Sequence, residues 1–581
     1  MSVLEKIDSP ADLKNISNEE LEELASEIRA AVLHKVSNVG GHVGPNLGVT
    51  ELTIALHKVF NSPVDKFIWD VSHQTYPHKI LTGRKNGFTD GHFHDITPYT
   101  SQRESEHDFF TVGHHTSTSI ANALGYAKPR DLTKDKGNII AVIGDGSISG
   151  GLAMEALNNA GDFQGNLIIL FNDNQMSIAE NHGGLYRNLA ELRETNGQAE
   201  NNFFKTFGLD YKYLENGNDI ESLVNLFEEV KDIDHPIVLH IHTEKGRGYQ
   251  PALENKEAFH WHMLFDLETG QSKVTDSGKS YSSIMLDYMD KKVSEGLPLV
   301  AINAAIPGIF GLKQFAAKYP DRYIDAGIAE QFTITFGGAM AAAGARPIIF
   351  HNSTFVQRAY DQFWHDLAIN EEPAIVIVKG GVISGSDETH QGSSAMTWIS
   401  NIPNIKYLAP TSEEEFISIL DWALDQHEEP VVIQMPEHGL ESRPTVLTDF
   451  STSSYQMTKA GEKVAILALG GLYSHGEKVA KILAENGVNP TLVNPIFIND
   501  LDQAFLENLV ENHQVIATIE DGILDGGFGQ KVASFLGKYD VKVLNFGAKR
   551  EFNDSVPVAE LYDRYHLTPE LMVADILSLS K

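Results

Sequence analysis

The stretch GDGSISGGLAMEALNNAGDFQGNLIILFNDN, residues 144–174, decides the fold. The apolar run IIAVI (Ile139–Ile143) precedes it, and it encloses a second, LIILF (Leu167–Phe171). Two such runs separated by a stretch of helical length predict a strand–helix–strand unit in a parallel sheet. Each strand then ends in a polar turn, Gly144-Asp145-Gly146 or Asn172-Asp173-Asn174, at the carboxyl edge where open α/β sheets bind ligands. Asp145 and Asn174 are 29 positions apart (174 − 145), so neighbouring strand ends can present both to one cation. Magnesium suits them: it is a hard ion held by a few oxygen ligands, phosphates and water. Gly146, Gly150 and Gly151 let backbone N–H groups approach a diphosphate at a helix N-terminus. A dinucleotide site is the obvious rival. However, Gly144-x-Gly146-x-x-Ser149 lacks the third glycine, and no acidic residue closes the next strand in the ribose-binding manner.

Outward from this unit, strand-like runs and amphipathic helical stretches alternate in three blocks, the pattern of doubly wound, mostly parallel α/β domains. The first block spans residues 1–266. The polar stretch DLETGQSKVTDSGKS then reads as a linker. A second block, 281–440, holds PIIF (Pro347–Phe350) and AIVIV (Ala374–Val378). A Ser/Thr-rich linker, Glu441–Lys459, leads to a third block, 458–581, with VAILALG (Val464–Gly470), a helix near His475–Asn486, and the strands TLVN and VIATIED.

At 581 residues the chain exceeds what one core supports and should form roughly three or four domains of ~150 residues. The formal charge of −34 argues against nucleic acid, which needs a basic footprint, and any anionic substrate must be drawn in by a local positive site. The absence of cysteine excludes disulfides, zinc–thiolate sites and a thiol nucleophile. With no signal-like N-terminus and no run of ~18 apolar residues, a cytoplasmic protein without a membrane span is expected.

A second motif lies in DAGIAEQ (Asp325–Gln331), which puts Glu330 in a short loop before the apolar stretch FTITFGGAMAAAGA. Thiamine diphosphate reacts only after its own aminopyrimidine removes the thiazolium C2 proton, and that requires a protein carboxylic acid on the opposite ring nitrogen. A Glu in an apolar cleft, its pKa raised by desolvation, is such an acid. Taken with the metal motif, Glu330 therefore points to thiamine diphosphate. Phe355, in STFVQRAYDQ, is a candidate stacking surface for the pyrimidine.

The chain resembles the 1-deoxy-D-xylulose-5-phosphate synthases, relatives of transketolase, over nearly its whole length. The resemblance rests on GGHVGPNLGVTELTIALH, WDVSHQTYPHKILTGR, GDGSISGGLAMEALNNAGD, NDNQMSIAEN, KGRGYQPA, GIAEQ, STFVQRAYDQ and DETHQG. It implies magnesium on Asp145, Asn174 and the Met176 carbonyl, and a cofactor site including His73, Gly113, His114, Gly144, Asp145, Gly146, Ser147, Asn174, Phe355 and Arg358. It also implies Glu330, His42, His260, Asp387 and His390 as catalytic groups, with the imidazoles shuttling protons. The expected reaction joins pyruvate, with loss of carbon dioxide, to an aldehyde (glyceraldehyde 3-phosphate in the family) to give a 1-deoxyketose that feeds isoprenoid and thiamine synthesis. A homodimer is implied as well. The alternatives are a transketolase-type ketol transfer, carboligation onto a plain aldehyde, or a protein that binds the cofactor without catalysis.

The resemblance breaks on the acceptor side. Where the family holds the acceptor phosphate with a tyrosine and arginines, this chain has Asn352, Gly380, and Glu437 or His438, while Arg358 persists and Lys379 offers a partial substitute. A carboxylate there repels phosphate, so the expected acceptor is one that is not, or is poorly, glyceraldehyde 3-phosphate. GHH (Gly113–His115) carries one residue more than the family pattern, and the region after Asn181 is shorter.

Overall fold

The computed structural model describes residues 2–274, 278–437, 439–444 and 447–579. Parts of both expected linkers (275–277, and 445 with 446) and His438 fall outside these. The chain is a mostly parallel α/β protein whose described residues form three sheets in two compact units, one of residues 1–277 with 327–329 and one of 278–326 with 330–581.

In the first unit, the runs read as strands are β2 (Ile139–Gly144) and β3 (Leu167–Asp173). They are parallel neighbours with Gly144 opposite Asn172, and the helix Gly151–Gly161 crosses between them. With β1 (Lys66–Trp69), β4 (Asp210–Leu214) and β5 (Pro236–His242) they make the order β1-β2-β3-β5-β4. β3 is buried along its whole length, which is why it reads as an unbroken apolar run instead of an alternating one. One face of the sheet (Ile143, Ile169, Phe171) packs on Ile120, Leu157 and Ala160; the other (Val142, Ile168, Leu170) packs on Leu52, Leu56 and Phe227. The crossover helix buries Ala153, Ala156, Leu157 and Ala160, a spacing of 3, 4 and 7 that forms one stripe.

The second unit holds a six-stranded sheet, β6 (Leu299–Asn303), β7 (Tyr323–Asp325), β8 (Arg346–Asn352), β9 (Ile375–Lys379), β10 (Lys406–Leu408) and β11 (Val431–Met435), in the order β10-β11-β9-β8-β6-β7. The helix Glu330–Ala342 lies close on β8: a Cβ at Gly337 would stand 2.4 Å from Ile349 Cδ1. The same unit contains β12 (Gln456–Lys459), β13 (Lys463–Ala468), β14 (Thr491–Asn494), β15 (His513–Ile523) and β16 (Lys542–Ala548), in the order β12-β14-β13-β15-β16. β12 corrects the reading of Glu441–Lys459 as linker throughout, because its last four residues pair antiparallel with β14. Their polar, half-exposed character belongs to an edge strand and hides it in the sequence. The helix expected near His475–Asn486 is Tyr473–Glu485. No helix among the described residues is long and apolar enough to cross a membrane.

Candidate active site

The first unit gathers two groups of predicted residues. At the carboxyl edge of β2 and β3, Asp145 is 2% exposed. Its carboxylate accepts from the Gly146 N–H and from Asn181 Nδ2, both at 3.0 Å. Burial, and then the neighbouring Asp173, push its carboxyl well above the usual range. Asp173 stays acidic despite burial because His240 (2.9 Å) and Arg193 hold it. Asn174 opens the loop 174–181, accepting at Oδ1 from the Met176 N–H (3.3 Å), and Ser177 donates its N–H to Asn181 Oδ1 (3.1 Å). That loop lies tightly on the glycine turn: a Cβ on Gly146 would stand 2.5 Å from Ser177 Cβ. A short 3-10 turn, Ser147–Ser149, precedes the helix Gly151–Gly161. The carboxylate of Asp145, the amide oxygen of Asn174 and the carbonyl of Met176 are hard oxygen donors of the type a magnesium ion takes, and a cation beside Asp145 would offset the charge that burial disfavours. No cluster of three or more His, Asp or Glu side chains suited to a metal occurs among the described residues, so a cation at this edge would need such mixed ligands.

The second group is histidine-rich. The rings of His42, His73 and His260 lie 4.9, 5.5 and 5.3 Å apart, centroid to centroid. His42 follows Gly40 and Gly41, whose φ values of +78° and +139° suit glycine alone. His73 follows Val71 and Ser72, both with positive φ, and a positive φ on the β-branched Val71 is strain concentrated at this strand end. Gly113 packs beneath them, where a Cβ would lie 2.5 Å from Ser72 Oγ and from the Val71 carbonyl. Asn46, fully buried, staples the cluster: Nδ2 donates to the carbonyls of His42 (2.8 Å) and His73 (2.9 Å), and Oδ1 accepts from the Tyr76 N–H. Lys245, also buried, donates to the Ser177 carbonyl (2.6 Å) and to His260 Nδ1 (3.2 Å). Desolvation brings its ammonium down to about 8. His260 is pushed well below its ordinary value by desolvation, then by Lys245 and the two neighbouring imidazoles. His114 packs edge-on against Phe110 at 4.2 Å, with a buried Nε2 that finds no hydrogen-bond partner among the described residues.

In the second unit Glu330 is the first residue of the helix Glu330–Ala342 and not part of the loop before it, which corrects the sequence reading, and it is 6% exposed. Burial raises its carboxyl, and the Arg358 guanidinium 3.9 Å away opposes this only in part. The first turn is fixed by Thr333, whose hydroxyl donates to the Glu330 carbonyl (2.7 Å) and accepts from His351 Nε2–H (2.8 Å). Phe355 meets His390 edge to face at 5.7 Å, and Thr354 Oγ1 donates to the Thr389 carbonyl. His390 Nδ1 lies 3.1 Å from Asp387 Oδ1, and the Thr389 N–H also donates to that oxygen. Although burial works against it, these partners hold the Asp387 carboxyl below its ordinary value. An ionised Asp387 makes Nδ1 the protonated nitrogen of neutral His390, leaving Nε2 as an acceptor.

On the acceptor side, Asn352 is turned to a local task, its Oδ1 accepting from the Thr354 N–H at 3.0 Å. Gly380 has φ +83°, and a Cβ there would lie 2.8 Å from Ser353 Oγ. Lys379 Nζ donates to the Ile309 carbonyl (3.1 Å); burial lowers its ammonium and Glu437 opposes that. His438, read with Glu437 in the sequence, lies outside the described residues.

Asn46, Lys245 and Asn181 are residues that sequence reasoning missed. All three sit inside quoted motifs, and their signal was a polar residue flanked by glycine or by other motif positions, with no spacing of its own.

Comparison with known proteins gives the class first. Residues 277–442 match the transketolase pyrimidine-binding domain and 454–572 the transketolase C-terminal domain, so the chain is transketolase-like. Residues 4–201 match the 1-deoxy-D-xylulose-5-phosphate synthase family. Proteins of that name from Clostridium beijerinckii (37% identical, all of both chains) and Clostridium acetobutylicum (36%, 99% of both) are similar over the full length. One from Geobacter sulfurreducens is 37% identical over 96% of this chain and 94% of its own. The chain belongs to the 1-deoxy-D-xylulose-5-phosphate synthase family.

Proposed function

We propose that this protein is a transferase that condenses pyruvate with glyceraldehyde 3-phosphate, releasing carbon dioxide and forming 1-deoxy-D-xylulose 5-phosphate for isoprenoid synthesis. Thiamine diphosphate supplies the electron sink for the decarboxylation when bound. Residues 1–266 hold its diphosphate through magnesium on Asp145, Asn174 and Met176, residues 281–440 receive its pyrimidine, and residues 458–581 form the C-terminal domain. The observation that carries the reading is Glu330, a buried carboxyl raised by desolvation at the head of an apolar helix. Its raised carboxyl favours the protonated form, which would donate a hydrogen bond to a ring nitrogen of the bound cofactor. Lys245 donates only, so Nδ1 of neutral His260 accepts and the proton sits on Nε2. Burial, Lys245 and the two neighbouring imidazoles disfavour charge on His260, so a proton it takes up is readily released again. Asp387 fixes His390 so that Nε2 is the exchanging nitrogen. Carbon dioxide release from pyruvate that requires the aldehyde, measured with product mass, tests the reading; two-carbon transfer without gas would refute it. No observation favours ketol transfer or a cofactor-binding protein without catalysis.

One observation favours a second reading of the acceptor. Arg358 is engaged by Glu330, and Lys379 by Glu437 and the Ile309 carbonyl, while Asn352 and Gly380 serve the local backbone. We infer an acceptor site that holds a phosphate weakly and accepts plain aldehydes. A low-micromolar Michaelis constant for glyceraldehyde 3-phosphate would overturn this. A cytoplasmic homodimer completes the proposal. In support, Phe332, 51% exposed, stacks on Phe336 at 5.0 Å on the helix that begins with Glu330, an aromatic face suited to a second copy.

A further inference from the structure

The segment 380–394 has neither helix nor strand, yet it carries Asp387 and His390. One side of it is held by β15 and by the residues that follow β16 in the same unit. Ile383 donates its N–H to Asp521 Oδ1 at 2.9 Å, and both residues are buried. Ser555 donates its N–H to the Ser386 carbonyl at 3.0 Å. Gln391 Nε2 donates to the carbonyls of Asn553 (2.7 Å) and Ser386 (2.8 Å), tying the segment's end to its own middle and to the C-terminal region at once. Packing is close as well, since a Cβ on Gly385 would stand 3.1 Å from the Val556 carbonyl.

The clamp is itself braced. Asp521 lies on β15 next to Glu520, which points to the opposite face and accepts from the Phe528 and Gly529 N–H groups at 2.9 and 2.8 Å. Asn553 donates to Tyr565 Oη (2.6 Å) and accepts from Arg564 (3.0 Å), and Tyr565 donates to Glu551 (2.8 Å). A segment without secondary structure has no ladder to hold its backbone, so these bonds, together with those from Thr354 Oγ1 to the Thr389 carbonyl (2.9 Å) and from Gln434 Nε2 to the Gly380 carbonyl on the other side, decide where Asp387 and His390 stand.

We propose that the C-terminal region acts as the positioning clamp of the Asp387–His390 segment, with Asp521 as its central positioning residue. This rests on the role assigned above to those two residues. Asp521 needs only an acceptor oxygen toward Ile383, so Asp521→Asn keeps the bond and Asp521→Ala removes it. Gln391→Met, at the partly exposed end of the segment, removes the second tie without opening the core.

The test is hydrogen–deuterium exchange on the full-length chain, with and without thiamine diphosphate and magnesium, read beside steady-state kinetics. Asp521→Ala and Gln391→Met should each speed exchange of the 381–391 amides at least tenfold and lower kcat/KM about 10- to 100-fold, since an ångström of misplacement is felt on that scale. Cofactor Kd should stay within about twofold, and Asp521→Asn should restore both readouts to within about threefold. Unchanged exchange in Asp521→Ala, or an Asn variant as impaired as the Ala variant, overturns the proposal. His390→Ala with intact turnover would instead defeat the site reading, and the exchange readout would still decide on the clamp.

Discussion

Gly146→Ala isolates the steric fit of the loop 174–181, proposed above to carry the metal. Gly146 has φ −63° and ψ −43°, values that alanine adopts without strain, so the backbone contributes nothing to the outcome. The added methyl meets Ser177 Cβ at 2.5 Å and Ser177 Cα at 3.0 Å. Carbon atoms rest about 3.5–4.0 Å apart, so the loop 174–181 must retreat by roughly 1 Å. It cannot do so freely, because Asn181 is bound to Asp145 and Lys245 holds the Ser177 carbonyl. Overpacking of this kind costs about 1–3 kcal/mol. Spent on the loop that carries Asn174 and Met176, that lowers affinity for magnesium and thiamine diphosphate about 5- to 150-fold. Calorimetric titration of the metal-loaded apoprotein with the cofactor measures the change. Gly125→Ala is the control: it lies in the helix Ser119–Thr133 with nothing within 4 Å of the new Cβ, and should leave affinity unchanged while adding about 0.5–1 kcal/mol of stability. Wild-type affinity in Gly146→Ala would refute the claim that this loop must lie against the glycine turn for the cofactor to bind.

Three further predictions follow from the same geometry. Glu330→Gln should lower kcat about 10²- to 10⁴-fold, the range for a lost proton-transfer group, while cofactor affinity measured by calorimetry stays near wild type. Glu437→Gln, which removes the carboxylate opposing Lys379, should lower the Michaelis constant for glyceraldehyde 3-phosphate by about tenfold, or ~1.4 kcal/mol, without helping an unphosphorylated aldehyde. Glu520 is raised by burial to about 7 in the folded protein, so its contribution to stability is complete below about pH 4.5 and lost as pH rises through 7. Melting temperature should therefore fall between about pH 4.5 and 7 and level off above that, and Glu520→Gln should flatten that slope while starting lower, because its amide nitrogen would face a backbone donor.

The strands of the first sheet were legible because parallel strands covered on both faces read as continuous apolar runs, as in LIILF. The pairing of Asp145 with Asn174 was legible because one strand–helix–strand unit sets their spacing. β12 was not, since QMTK on a half-exposed edge carries no apolar signature. Glu330's burial was legible only in combination: a Glu opening a helix is normally a solvated, dipole-favoured residue, and it was the metal motif and the apolar stretch after it that pointed to the buried carboxyl the structure has. The histidines came from resemblance alone. What placed them together, Asn46 binding two backbone carbonyls, leaves no periodic trace, because a buried amide serving carbonyls depends on three-dimensional proximity.

Lys245 shows how an acidic chain can still serve anionic ligands. With a formal charge of −34, attraction must come from a site rather than from the whole field. Its ammonium is buried, so solvent ions screen it far less than they screen the surface carboxylates. The same burial that lowers it to about 8 still leaves it mostly charged at neutral pH, and Asp145 favours that charged form. Because it also holds the Ser177 carbonyl and His260 Nδ1, the charge cannot swing out to solvent. One lysine thereby closes the loop 174–181, fixes the tautomer of His260 and supplies a local positive potential. These roles are coupled, so replacing it with methionine should cost more than the sum expected from losing any one of them.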